Sequence, residues 1–198
     1  MLVNAVPPRQ SVEVLGAEMA VAAADGRLAY YLDQPVLAET LTATAPHPFF
    51  VMDASTVPED GVVPTASQYA GWRYLLEVNR RAVALATIVV DEEGNHRYGG
   101  IGIGPAVSAI VFAIHAADEL LRSTSEDFTI AALEFYAVHT VLLQVVNRDR
   151  SKRAFLPLGL TTSLNPARLY SPAQIRLELR RMASRPTPEP SDGEPVGG

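Results

Sequence analysis

The 198-residue chain contains no cysteine. That absence excludes disulfides, thiolate nucleophiles and zinc sites built on sulfur, and it fits a reducing compartment. Lysine is almost missing as well: fifteen of the sixteen basic residues are arginine, and Lys152 is the exception. Together with abundant Ala and Val, this is the bias of a GC-rich genome and points to a bacterial source. The preference for arginine therefore carries no functional weight. Long apolar runs are also lacking. A bilayer span needs about 18 or more consecutive apolar residues. The nearest approach, Ile101 to Leu121, is interrupted by Gly102, Gly104, Pro105, His115 and the pair Asp118–Glu119. The first residues, MLVNAVPPRQSVEV, lack a basic segment followed by an apolar one, so no signal peptide is expected. The expected location is cytoplasmic, with no membrane contact.

What is present suffices for one core. Hydrophobic residues make up 48% of the chain and charged residues 19%, which at this length favours a single domain. Residues 1–10, with Pro7 and Pro8, read as a flexible lead-in, residues 11–184 as one α+β domain, and residues 185–198 as a disordered tail. The tail is rich in Pro, Glu, Ser and Gly and cannot bury enough apolar area to offset chain entropy.

Within the domain, Val12, Leu15, Met19 and Ala22 fall on one helical face, with Ser11 as N-cap and Asp25-Gly26 closing the helix. A hairpin around Asp25-Gly26 is the rival reading. Arg27 to Leu32 suits a short strand or a helix extension, and Pro35 to Thr42 a short helix. Residues 43–68 read as a long loop, with Phe49 to Met52 tucked against the core as a short strand. Trp72–Val78, Ala82–Val90 and Arg97–Ile103 read as a three-stranded antiparallel meander, with turn residues between them. Pro105 starts a central helix over about 105–122, with Val107, Ile110, Val111, Ile114, Ala117 and Leu121 as its apolar stripe. Asp127–Phe135 and Val138–Val146 are β-rich, separated by a bend near Tyr136-Ala137. The polar turn Asn147–Ser151 leads into a strand, Arg153–Leu158. Ser171-Pro172-Ala173-Gln174 is a capping box opening a helix over about 172–184. The expected fold is therefore α+β: a mostly antiparallel sheet flanked by a central and a C-terminal helix. In element order it resembles profilin-like and roadblock-like sandwiches.

Catalytic and metal patterns are weak. Gly99-Gly100-Ile101-Gly102-Ile103-Gly104-Pro105 runs from strand to helix, where backbone N–H groups can hold an anion. Pro105 stands where a dinucleotide fingerprint needs its third glycine, and no lysine follows to make a P-loop. The four histidines, His47, His96, His115 and His139, show no zinc spacing. His115 has Asp118 and Glu119 three and four residues on, but Ser108 lies two turns away, about 10 Å, too far for a triad. The acidic run Asp91-Glu92-Glu93 reads as a solvated turn. Nothing calls for a metal or a cofactor.

Charge is unevenly spread. Residues 1–147 hold seven arginines against seventeen carboxylates, a net of −10. Residues 148–185 carry nine basic residues against two acids, a net of +7, and residues 186–198 carry −3. The positive charges fall in two groups: Arg148, Arg150, Lys152 and Arg153 in the turn before the last strand, and Arg176, Arg180 and Arg181 in the last helix. The leading expectation is a non-enzymatic protein–protein interaction or assembly subunit. These seven residues would dock an acidic partner or a second copy as a homo-oligomer, with the acidic tail competing for the patch. The overall acidity, with pI near 5.2, and the lack of aromatic platforms among the arginines disfavour nucleic acid. The alternative is a small-molecule-binding protein or enzyme. Its pocket would lie near Gly100, Gly102 and Gly104, with His115 or His139 as acid/base.

Overall fold

Alternating apolar residues assemble a seven-stranded sheet in the computed structural model, which describes residues 1–32, 40–53, 68–158 and 163–184. In chain order the elements are α1 (Arg9–Ala24), α2 (Arg27–Leu32), β1 (Leu41–Val51), β2 (Tyr69–Val78), β3 (Arg81–Val90), β4 (His96–Gly102), α3 (Pro105–Leu121), β5 (Phe128–Phe135), a 3-10 turn (Tyr136–Val138), β6 (Thr140–Asn147), β7 (Arg153–Pro157) and α4 (Pro172–Ala183). The sheet order is β4-β3-β2-β1-β5-β6-β7. Two antiparallel meanders, β1–β4 and β5–β7, are thus set side by side. The join is a parallel pairing, alone of its kind between the named strands, with Phe49, Phe50 and Val51 opposite Ala132, Leu133 and Glu134. The α+β class and both flanking helices are as the sequence predicts.

Coverage differs between the two faces. On one, α3 crosses both meanders. Val107 and Ile110 pack on Leu75 and Leu85, and Ala113, Ala117 and Leu121 pack on Phe128, Ile130, Leu143 and Leu156. A small-residue stripe lets α3 lie close to the strands. On the other face two helices share the work. Leu15, Met19 and Ala22 of α1 cover Trp72, Tyr74, Ala84 and Ile88. Ile175, Leu179 and Met182 of α4 cover Leu133, Phe135, Leu142 and Phe155. The α4 capping box forms as expected, Ser171 accepting from the Gln174 N–H and Gln174 accepting from the Ser171 N–H.

Four expectations change. Ser11 does not cap α1, which begins at Arg9 after Pro8; its side chain is buried and shares a 2.7 Å hydrogen bond with the Tyr74 hydroxyl. A buried hydroxyl needs such a partner, and Tyr74 needs one equally. Segment 27–32, by contrast, takes the helical one of its two expected forms, and the helix preferred over an Asp25-Gly26 hairpin is present. Residues 43–48 are not loop but run on into the expected strand at Phe49–Val51, and together they make most of β1. The two prolines that argue against a strand there are absorbed: a register shift between Thr44 and His47 accommodates Pro46, and the parallel ladder is confined to Phe49–Val51 beyond Pro48. The helix expected over 35–42 lies partly outside the described residues; Leu41 and Thr42 open β1. The N-terminal lead-in is also tied down, because Val3 N–H donates to Phe128 O at 2.8 Å and Phe128 N–H to Met1 O at 2.9 Å. The tail beyond Ser184 lies outside the described residues.

Gly71 is the tightest point of the sheet. Its φ is +144°, and a Cβ there would stand 2.0 Å from the Ile88 carbonyl oxygen. Gly71→Ala should cost about 3 kcal/mol or more, lowering the melting midpoint by about 10 °C at this chain length, as read by circular dichroism. Gly16, in open space on α1, is the control: Gly16→Ala should hold or raise the midpoint.

Candidate functional site

The β6–β7 turn is built around one side chain. Asn147, buried, donates to Glu126 Oε2 (3.0 Å) and to Ser151 Oγ (3.2 Å), and accepts from the Lys152 N–H (2.9 Å). Asp149 accepts from the Ser151 N–H and hydroxyl at 3.0 and 2.7 Å. Arg150 sits at φ +61°, and its N–H donates to Asn147 O at 3.0 Å. The turn is therefore a fixed platform. It does not present all four predicted basic residues alike. Lys152 is paired with Glu126. Arg148 and Arg150 are exposed and make no ion pair among the described residues. Arg153 is half-buried, and its Nε is buried without a hydrogen-bond partner among the described residues. Desolvation, then the nearby charge of Arg150, hold its pKa below the ordinary arginine value.

Arg148, Arg150 and Arg153 line one side of a groove of about 600 Å³. Its floor is the stretch of sheet that α1 and α4 leave uncovered: Pro48 and Phe50 of β1, Thr129 and Ala131 of β5, and Gln144 of β6. Tyr69 stands on the other side, edge-on to Phe50 with ring centroids 5.8 Å apart. The groove thus straddles the parallel join.

The α4 group lies elsewhere. Met182, at the end of α4, accepts a hydrogen bond from Thr140 at the start of β6, while Arg153 pairs with Val146 at the far end of that strand. Six residues of strand separate those points, about 20 Å. Arg180 and Arg181, toward that end of α4, therefore do not join the turn arginines in one patch. Arg181 is moreover committed internally. It forms a two-pronged bond with buried Glu178 at 2.6 and 2.8 Å and reaches Ser163 Oγ at 3.1 Å. The Arg181 guanidinium, aided by the Ser163 N–H and hydroxyl, holds the Glu178 carboxyl down at about 2.

The residues of the alternative site also separate. Gly104, at φ +80°, precedes α3, and Gly100 lies in β4 at φ +132°. A cleft of about 270 Å³ does open beside this turn, lined by Gly102, Ala106, Ala109 and Ile110. Neither His115 nor His139 lines it, and both are exposed. The polar groups there are ones the sequence reading passed over. Arg73 of β2 reaches over the ring of Phe49, 4.6 Å from its centroid, to an ion pair with Glu134 of β5 at 2.6 Å. Tyr136 donates to the other Glu134 oxygen at 2.9 Å. His47, opposite Arg73 in the ladder, is fully buried and bonded through Nδ1 to Ala45 O at 2.8 Å, with Nε2 unpartnered among the described residues. The available signal was a single charge amid apolar strand residues, Arg73 in GWRYLL and Glu134 in AALEFY.

Among the described residues no group of three or more His, Cys, Asp or Glu side chains is placed to hold a metal, and no helix is long and apolar enough to cross a membrane. Compared with protein-family models, curated proteins and solved structures, the chain matches none. The resemblance to profilin-like and roadblock-like sandwiches expected from element order thus finds no counterpart among the solved structures compared.

Two buried groups set separate acid sensitivities. Burial holds His47 at about 4 instead of 6.5, the Ala45 carbonyl opposing and the Arg73 charge assisting. Because the folded value is depressed, this contribution is complete above pH 6.5 and is lost as pH falls toward 4. Its slope is at most about 1.4 kcal/mol per pH unit. Glu178 acts lower: its contribution is complete above about 4.5 and is lost toward 2. Melting midpoints across pH should show His47→Gln flattening the upper window and Glu178→Gln the lower. A variant that altered the other window would contradict the assignment.

Proposed function

We infer that this chain is a non-enzymatic protein-interaction module that takes an extended acidic segment of a partner protein into the groove between α1 and α4. The observation that carries the reading is the set Arg148, Arg150 and Arg153, without carboxylate partners among the described residues and held by a hydrogen-bonded turn along one side of a groove. Arginine on such a rim attracts carboxylates and steers their approach. The floor supplies what an extended segment needs: Phe50, Tyr69 and Pro48 as apolar surface, and Thr129 and Gln144 as hydrogen-bonding groups. The tail, with its net charge of −3 over residues 186–198, competes for the same arginines. The acidic first two-thirds of a second copy is an alternative occupant of the same chemistry. In this reading the α4 arginines are not part of the docking surface.

A fluorescein-labelled peptide of sequence PTPEPSDGEPVGG, which is residues 186–198, serves as the acidic probe in polarisation titrations. It should bind the chain truncated after Arg185, more weakly as salt rises. Replacing Arg148, Arg150 and Arg153 by Glu should weaken it at least about tenfold, whereas Arg180→Glu should leave it unchanged. Equal losses in both would mean that net charge, not the groove, drives binding.

Removing residues 186–198 should also raise affinity for an acidic partner. Light scattering at low and high salt tests self-docking. A salt-sensitive oligomer that grows without the tail identifies the second copy as the occupant, and a monomer throughout leaves the separate partner.

A further inference from the structure

The cleft under α3 lies on the opposite face from the groove and is independent of it. Its volume is about 270 Å³, and its walls are chiefly apolar: Leu85, Ala109, Ile110, Val141 and Leu158. Set into this lining are Arg73 and Glu134, 2.6 Å apart and almost wholly buried, with side chains 13% and 8% exposed. A gap lined by hydrocarbon alone is ordinary packing slack. A gap with a buried ion pair in its wall is different, because charges removed from water need every bond they can make.

The pair is incompletely satisfied. A guanidinium has five N–H donors and a carboxylate about four acceptor positions. Glu134 uses one position for Arg73 and one for the Tyr136 hydroxyl. Arg73 uses Nη2 for Glu134, and its Nε is buried without a partner among the described residues. Spare donors and spare acceptors therefore stand side by side. Their charges cancel, so a ligand with a net charge would leave one end uncompensated in a poorly solvated space. A ligand carrying both charges would complete both ends. Its carboxylate would meet Arg73 and its ammonium would meet Glu134.

We propose that this cleft binds a small zwitterion with an apolar side chain, of the α-amino-acid class, its charged ends on Arg73 and Glu134 and its side chain against Leu85, Ile110 and Val141. Alanine at 106 and 109, where α3 faces the cleft, leaves the room for that side chain.

The test uses the full chain and three probes of matched shape: L-leucine, 4-methylpentanoate, which keeps only the carboxylate, and 3-methylbutylamine, which keeps only the amine. Calorimetric titration should give saturable one-to-one binding of L-leucine, with each single-charge analogue at least about tenfold weaker, as expected for loss of one charged hydrogen bond. Two substitutions fill the cleft from opposite walls, Ala109→Met and Val141→Phe. At least one should melt cooperatively near the parent midpoint, and that one should lose L-leucine binding. No saturation by L-leucine at tens of millimolar would overturn the proposal. So would equal binding of 4-methylpentanoate, or undiminished binding by a folded cleft-filled variant.

Discussion

The Arg73–Glu134 ion pair holds the two halves of the molecule in register. The β1–β4 and β5–β7 meanders each form an antiparallel ladder of their own, but among the described residues they pair as strands through just three residue pairs of β1 and β5. Arg73 starts on β2, passes over Phe49 on β1 and ends on Glu134 of β5. It therefore crosses the strand that makes the join. The stacking on Phe49 matters because it removes one guanidinium face from any need for water. The Tyr136 hydroxyl does the same for the second Glu134 oxygen. Buried pairs of this kind are weak net stabilisers compared with apolar replacements, yet losing one partner costs about 3–5 kcal/mol. The pair works best as a selector: any slip of β5 against β1 would pull the charges apart.

From that constraint follows the unequal treatment of the two faces. One helix, α3, bridges both meanders over the ion pair, and its alanines let it approach closely while leaving a small, chiefly apolar cleft with the ion pair in its wall. The opposite face is covered by two helices from different parts of the chain. Each protects its own meander, and among the described residues no helix covers the strip above the join. Both cavities thus trace to the same cause, a sheet made of two halves. The arginines of the β6–β7 turn gain their significance from position, because they stand where the open strip reaches the end of the strands.

Much of this was legible in the sequence where one physical signal dominated. The β2–β4 meander shows turn residues between β-rich runs, and the capping box of α4 is written in Ser171 and Gln174. Legibility failed where two signals competed. Pro46 and Pro48 mask β1, since proline ordinarily forbids a central strand, and only a register shift makes room for it. Ser11 has the chemistry of a cap but turns inward to Tyr74. The basic residues look like one patch because they are close in sequence, yet a strand's length separates the turn from the end of α4, and Lys152 and Arg181 already have carboxylates. The ion pair was hidden for a related reason: its partners are sixty-one positions apart, and neither charge shows its mate.

The parallel join also sets an order of events during synthesis. A strand in a β-hairpin finds its partner within a few residues, but β1 meets β5 only after all of β2, β3, β4 and α3 has been made. Until then the first meander carries β1 as an edge, with Phe49, Phe50 and Val51 offering unpaired backbone groups. Such edges are where nascent chains pair with the wrong neighbour. The two prolines just before Phe49 shorten the exposed template, since each lacks the N–H that a stray strand would accept from. What hides β1 from a reader of the sequence thereby shields it while it waits on the ribosome.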